Sequence, residues 1–136
     1  MDRVLGKYSE PAYAVLRIVV GFLFACHGAQ KVLGLLGGID EAGGTAGFGL
    51  IWVAGAFELV GGVLIATGFQ AATAAFVCSG EMAVAYFMAH QGRALFPAQN
   101  GGDLPVLYCF VFLFIATKGS GIWSLGPKGG ARGEHA

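Results

Sequence analysis

Residues 79–114, SGEMAVAYFMAHQGRALFPAQNGGDLPVLYCFVFLF, read as two apolar helices joined by a loop that carries Pro97, Asn100 and Gly101-Gly102. The first of these helices holds a carboxylate, Glu81, inside its apolar run, and the preceding apolar segment holds Glu58 at similar depth. Carboxylates in hydrocarbon cost on the order of 3 kcal/mol or more each at mid-bilayer, so they turn toward a bundle interior, take partners and mark function. The rest of the chain reads as packing around them.

Composition supports a membrane protein. Of the 136 residues 56% are hydrophobic and only 12% charged, and mean hydropathy is +0.70, whereas a soluble domain carries roughly 25% charged residues. The formal net charge is zero, so no basic field recruits nucleic acid. The 24 glycines are spread through the apolar segments, which suits helices approaching closely through small-residue faces. One membrane domain over residues 1–136 is expected, without separate domains. Cys26, Cys78 and Cys109 lie far apart in apolar segments and form no ligand spacing; they read as small buried hydrophobes, with redox-active thiols as the alternative, and no structural metal is expected.

Outward from the opening stretch, the pattern predicts four apolar helices over about 12–33, 48–67, 71–90 and 104–118. Met1 to Glu10 is polar, and Pro11 suits a first helical turn. Leu23-Phe24-Ala25-Cys26 resembles a lipoprotein cleavage box, but Phe24 is bulky for one and Arg17 interrupts the apolar core. At 100° per residue Arg17, His27, Gln30 and Lys31 share one broad face, expected to look inward; the competing reading lets Arg17 and Lys31 snorkel to the two interfaces. Glu58 precedes Gly61-Gly62, which fits close helix contact beside the carboxylate. In the third helix Cys78, Glu81, Ala85 and Met88 share one face, and Met82, Tyr86 and His90 the next. The fourth segment is short for a full span. The tail over about 124–136 is expected to be disordered, with Trp123 as an interfacial anchor.

Lysine and arginine set the expected orientation. Arg3 and Lys7 flank the start and Lys118, Lys128 and Arg132 follow the last helix, while Asp40, Glu41 and Asp103 lie on the other side with Lys31 and Arg93. The expected fold is therefore all-α, an integral membrane four-helix bundle with both termini cytoplasmic. His27, Gln30, Lys31, His90, Asn100, Asp103 and Tyr108 then fall in the outer half or outer loop, and Glu58 and Glu81 near the midplane.

The segments LRIVVGFLFACHGAQKVLG (16–34), FELVGGVLIATG (57–68), EMAVAYFMAH (81–90) and FPAQNGGDLPVLYCFVFLF (96–114), in this order and spacing, resemble the DoxX family of small four-helix bacterial membrane proteins. The matched polar positions are His27, Gln30, Lys31, Glu58, Glu81, Asn100, Gly101 and Gly102. Asp103 stands where family members often have glutamate, and Pro105 is a less usual residue at its position. The resemblance implies a multi-pass protein of the bacterial cytoplasmic membrane. It also implies association with thiosulfate:quinone oxidoreduction as a membrane subunit, or with complexes linking superoxide and thiol defence. It transfers no catalytic residue set.

Three functions compete on the residues themselves. The first is a redox-complex subunit binding a quinone between helices, partnered by other membrane or peripheral redox proteins. Glu58 and Glu81 are then candidate proton-exchanging carboxylates, because a carboxyl in a low-dielectric site favours its neutral, proton-carrying form. His27, Gln30, Lys31, Tyr108 and Asn100 are the candidate polar contacts to the headgroup. No haem ligand pair, flavin motif or dinucleotide motif is present, so the chain alone is an incomplete oxidoreductase. The second is a structural subunit, in which Glu58 and Glu81 pair with Arg17, His27 or Lys31 to fix helix register. The third is a small-solute or proton-coupled transporter, for which four spans are few unless it forms a homo-oligomer.

Overall fold

The computed structural model describes residues 2–40 and 43–126, and among these no strand occurs. Glu41, Lys128, Arg132 and the tail from residue 127 onward lie outside the described residues. Four long helices form: α1 (Ser9–Leu33), α2 (Leu50–Thr67), α3 (Ala71–Ala89) and α4 (Asp103–Lys118). Short helical turns occur at Asp2–Leu5, Gly6–Tyr8 and Pro97–Asn100.

Most boundaries follow local chemistry. α1 starts before the expected residue 12, because Pro11 sits among the first helical positions, whose N–H groups have no helical partner in any case. α2 starts after the expected residue 48, since Gly49 is extended with φ 174 and ψ −163. α3 stops at Ala89 because His90 leaves helical geometry at φ −121. α4 gains Asp103 in its first turn and has Lys118 in its last, both favourable to the helix dipole.

The segments Gly6–Leu33, Leu50–Thr67 and Ala71–Ala89 are long and apolar enough to cross a membrane. α4 has 16 residues and rises about 24 Å, short of a hydrocarbon core of roughly 30 Å. Large apolar side chains cover the outside, among them Phe22, Phe76, Phe87 and Phe110, each more than 60% exposed. Arg17, Glu58 and Asn100 are instead at most 3% exposed. Polar groups inside and apolar groups outside is the arrangement lipid imposes.

Helices α1 and α2 meet backbone to backbone. Gly21 and Gly28 are seven residues apart and so share a face, as do Gly55 and Gly62. A methyl on Gly21 would strike the Gly62 carbonyl, and one on Gly28 would strike the Gly55 carbonyl and Leu59 backbone. The pair therefore runs antiparallel with almost no side chains between. Helices α3 and α4 form a second hairpin, joined by a Ser79 Oγ–H donated to the Cys109 carbonyl at 2.8 Å. The two hairpins are stitched by Phe24 of α1, whose ring lies 4.7 Å from Phe112 and 5.1 Å from Tyr108 of α4. Cys78 is 1% exposed within the core, and all three cysteines are free thiols.

At the end where α2 turns into α3, Arg17 is wholly buried rather than snorkelling. Its Nη1 donates to the Ile65 and Ala66 carbonyls, both at 2.8 Å, and its Nη2 to those of Ile122 and Trp123 at 3.2 and 2.8 Å. The first two carbonyls lie in the last turn of α2, where a cation is favourable, and that of Ile65 also accepts the Gly68 N–H at 3.2 Å. Among the described residues Arg17 has no carboxylate partner. Ser124 to Gly126, expected to join the disordered tail, instead fold over this end, with the Leu125 N–H donated to the Thr67 carbonyl at 2.9 Å.

Candidate functional site

At the opposite end of the helices, the missing side chain of Gly55 sets up the site. A methyl there would lie 2.6 Å from the Lys31 Cβ, so only glycine lets the Lys31 stem lie flat on α2. Glu58 follows three residues on, on the same face, and Lys31 Nζ reaches its Oε1 at 2.5 Å. Glu58 is 4% exposed in its side chain and Lys31 27%. The lysine thus bends inward to the carboxylate rather than outward to the interface.

Beside this pair lies a cavity of about 580 Å³. Its apolar walls include Phe24, Phe57, Met82 and Met88, and its polar lining is His27, Lys31, Glu58, Glu81, His90 and Tyr108. The His27 ring stands edge-on to Tyr108 at 6.3 Å, and Tyr108 stacks on Phe112 at 5.3 Å. Three carboxylate oxygens are buried without a hydrogen-bond partner among the described residues: Glu58 Oε2 and both Oε1 and Oε2 of Glu81. Buried polar atoms are almost always paired, so such a cluster requires an explanation.

The structure brings Glu58, Glu81, His27, Lys31 and Tyr108 to one cavity and leaves Gln30 and Asn100 outside it. The Gln30 Nε2–H is donated to the Leu36 carbonyl at 3.1 Å, holding the turn after α1. Asn100 is the knot of the 90–103 loop. Its Nδ2 donates to Tyr86 Oη at 3.2 Å and to the Ala94 carbonyl at 3.1 Å, while its Oδ1 accepts the Gly102 N–H at 2.8 Å. Its own carbonyl lies 3.1 Å from His90 Nδ1. Gly101 takes φ 72, and a methyl on Gly102 would strike the Tyr86 ring, so Asn100-Gly101-Gly102 shapes the loop over the mouth.

His90 is a lining residue that helical periodicity does not select. It stands nine positions after Glu81, about 180° away on a helix, and turns to the mouth only because α3 ends at Ala89. Phe24 and Phe57 were unmarked too, since aromatic residues are spread through every apolar segment. The pattern that could have found Phe57 is its place beside Glu58.

Two comparisons with known proteins match this chain, one over the region of α1 to α3 and one over nearly its whole length. A family model described as DoxX matches residues 12–91. An uncharacterized protein of Haemophilus influenzae is 39% identical over 127 residues, spanning 91% of this chain and 95% of that protein. No solved structure matches. On the family match and a relative aligned over nearly its whole length, the chain belongs to the DoxX family of membrane proteins.

Proposed function

We propose that the chain is the membrane subunit of a quinone-linked redox complex in a bacterial cytoplasmic membrane, with α1 to α4 as four spans and both termini cytoplasmic. The observation that carries the reading is Glu81: both its oxygens are buried, without a partner among the described residues, and set in the wall of an apolar cavity beside a lysine. A cavity of about 580 Å³ lies within the usual ligand-pocket range of roughly 300–1,000 Å³, apolar with a few convergent polar groups.

The donor set fits a quinone headgroup. Lys31 Nζ–H and the His27 and Tyr108 side chains supply donors for ring carbonyl oxygens, and Phe24 and Phe57 supply flat apolar contact. When bound, such a group supplies a two-electron, two-proton couple, its electrons passing to or from a partner redox subunit. Glu81 holds or releases a proton at a carboxyl oxygen that no donor among the described residues occupies. The Lys31–Glu58 pair keeps a cation at the site without adding net charge. Exclusion of water by the surrounding apolar walls strengthens each of these interactions.

The ion pair favours a structural role for Glu58, since a buried pair fixes register more than it stabilises. The two carboxylates therefore divide the work. Titration of the purified protein in nanodiscs with ubiquinone or menaquinone, on wild type and on Glu81→Gln, tests the reading. Saturable binding that weakens at least tenfold in the variant is the expected result; wild-type protein that binds no quinone overturns it.

A further inference from the structure

The seam between α2 and α3 does not end at the cavity. A second cavity of about 410 Å³ continues along it, lined by Ala56, Val60, Leu64, Ala74 and Val77, with Phe57 forming a wall of both. Cys78 lies in the second cavity and Glu81, one turn on, in the first. One groove therefore runs from the polar mouth past Phe57 toward the Gly68 turn. From Phe57 to Leu64 the path is about 10 Å. Its lining is apolar except for Gln70 and Thr73 at the far end.

Two features keep it open. Small residues line it, and Gly61 leaves only enough room for the Cys78 thiol to pack against α2. Val60 and Val77, 59% and 45% exposed, stand at its rim facing outward. A polar chamber that narrows past a ring into a lipid-facing apolar slot matches an amphiphile with a polar head and one hydrocarbon chain.

We infer that this slot between α2 and α3 holds the tail of the quinone whose head occupies the Glu81 cavity, so that the protein selects long-chain prenylated quinones over tail-less ones. The inference rests on the quinone reading of the cavity and adds a recognition element to it. Phe57 is the positioning residue at the joint, where ring becomes chain.

The test compares binding of a tail-less dimethoxy-methyl-benzoquinone with the same ring carrying a decyl or a tetraprenyl chain. Full-length protein in nanodiscs is used, and concentrations are expressed as mole fraction in the bilayer so that partitioning cancels. Wild type is expected to bind the tetraprenyl compound at least tenfold more tightly than the tail-less ring. Val77→Trp and, independently, Val60→Trp fill the slot from its lipid-facing rim, where added bulk is tolerated by the fold. Each is expected to abolish that preference while leaving tail-less binding unchanged. Equal binding of all three compounds by wild type, or tailed binding untouched by both variants, overturns the tail site and leaves a slot for phospholipid chains. Wild type that binds none of the rings removes the quinone reading itself, and the tail site with it.

Discussion

The α1–α2 hairpin holds a cation at each end, Arg17 wholly buried and the Lys31 side chain 27% exposed, and the two ends treat it oppositely. Arg17 is enclosed by four carbonyls from α2 and from the 122–123 turn, all fixed by backbone geometry. Lys31 meets one carboxylate oxygen, and beside it three more oxygens face a cavity unpaired. At the first end one buried nitrogen, Arg17 Nε, lacks a partner among the described residues, whereas at the second three carboxylate oxygens do, and each unpaired group in low dielectric is costly. The first end ties two stretches of backbone together through one guanidinium, and the second leaves most of its carboxylate oxygens unpaired beside a cavity.

The largest expected effect falls at the closed end. Arg17→Met deprives the α2 terminus and the C-terminal turn of their shared donor at once; with charged hydrogen bonds at about 1.5–3 kcal/mol each, a loss of roughly 4 kcal/mol or more follows. Thermal or denaturant unfolding in detergent measures it. Arg17→Lys is expected to recover only part, because a point charge cannot serve four carbonyls as a planar fork does. Unchanged melting of the Arg17→Met protein would erase the contrast between the ends.

Next comes the ion pair. Lys31→Met strands Glu58 in the interior, and such losses run to about 3–5 kcal/mol. The partial exposure of Lys31 places the expected value at the low end of that range. Replacing both residues by methionine should restore most of the stability, and a double mutant no better than the single would show that the pair does not act as a unit.

A smaller loss is expected along the seam. Gly28→Ala pushes a methyl into the α2 backbone at Gly55 and Leu59, and overpacking of this kind costs about 1–3 kcal/mol. It also shifts α2 against Lys31, so stability and quinone affinity should fall together. A variant that loses stability with affinity intact would uncouple the seam from the site.

The smallest effect on stability belongs to Glu81→Gln. No partner is stranded among the described residues, so melting should fall by less than in the other variants while quinone binding weakens. Glu58→Gln on the same assays should show the reverse pattern, a clear stability loss with Lys31 left unpaired. Identical behaviour of the two variants would refute the division of labour between the carboxylates.

Much of this protein could be read along the chain. Long apolar runs with one or two carboxylates point to helices in hydrocarbon, because lipid allows only helices or closed barrels to pair the backbone and barrel strands are much shorter, about 9–11 residues. The same runs predict that Glu58 and Glu81 face inward, since a charge cannot be left in lipid. The seven-residue glycine spacing in α1 and α2 was visible as letters, though not its pairing across two helices.

Tertiary structure decided which polar residues meet. Gln30 and Lys31 are neighbours in sequence, yet one reaches the Leu36 carbonyl and the other reaches Glu58, because only Lys31 lies over the bare backbone of Gly55. Asn100 looks like a ligand-binding amide in a loop and instead ties that loop together. Arg17 could have paired with a carboxylate or snorkelled, and the choice fell to two carbonyls of the α2 end and two brought from the far end of the chain by the turn after α4. Periodicity fixes the face a side chain takes on its own helix; which neighbour occupies that face depends on how closely the helices pack, and here that distance is set by four glycines.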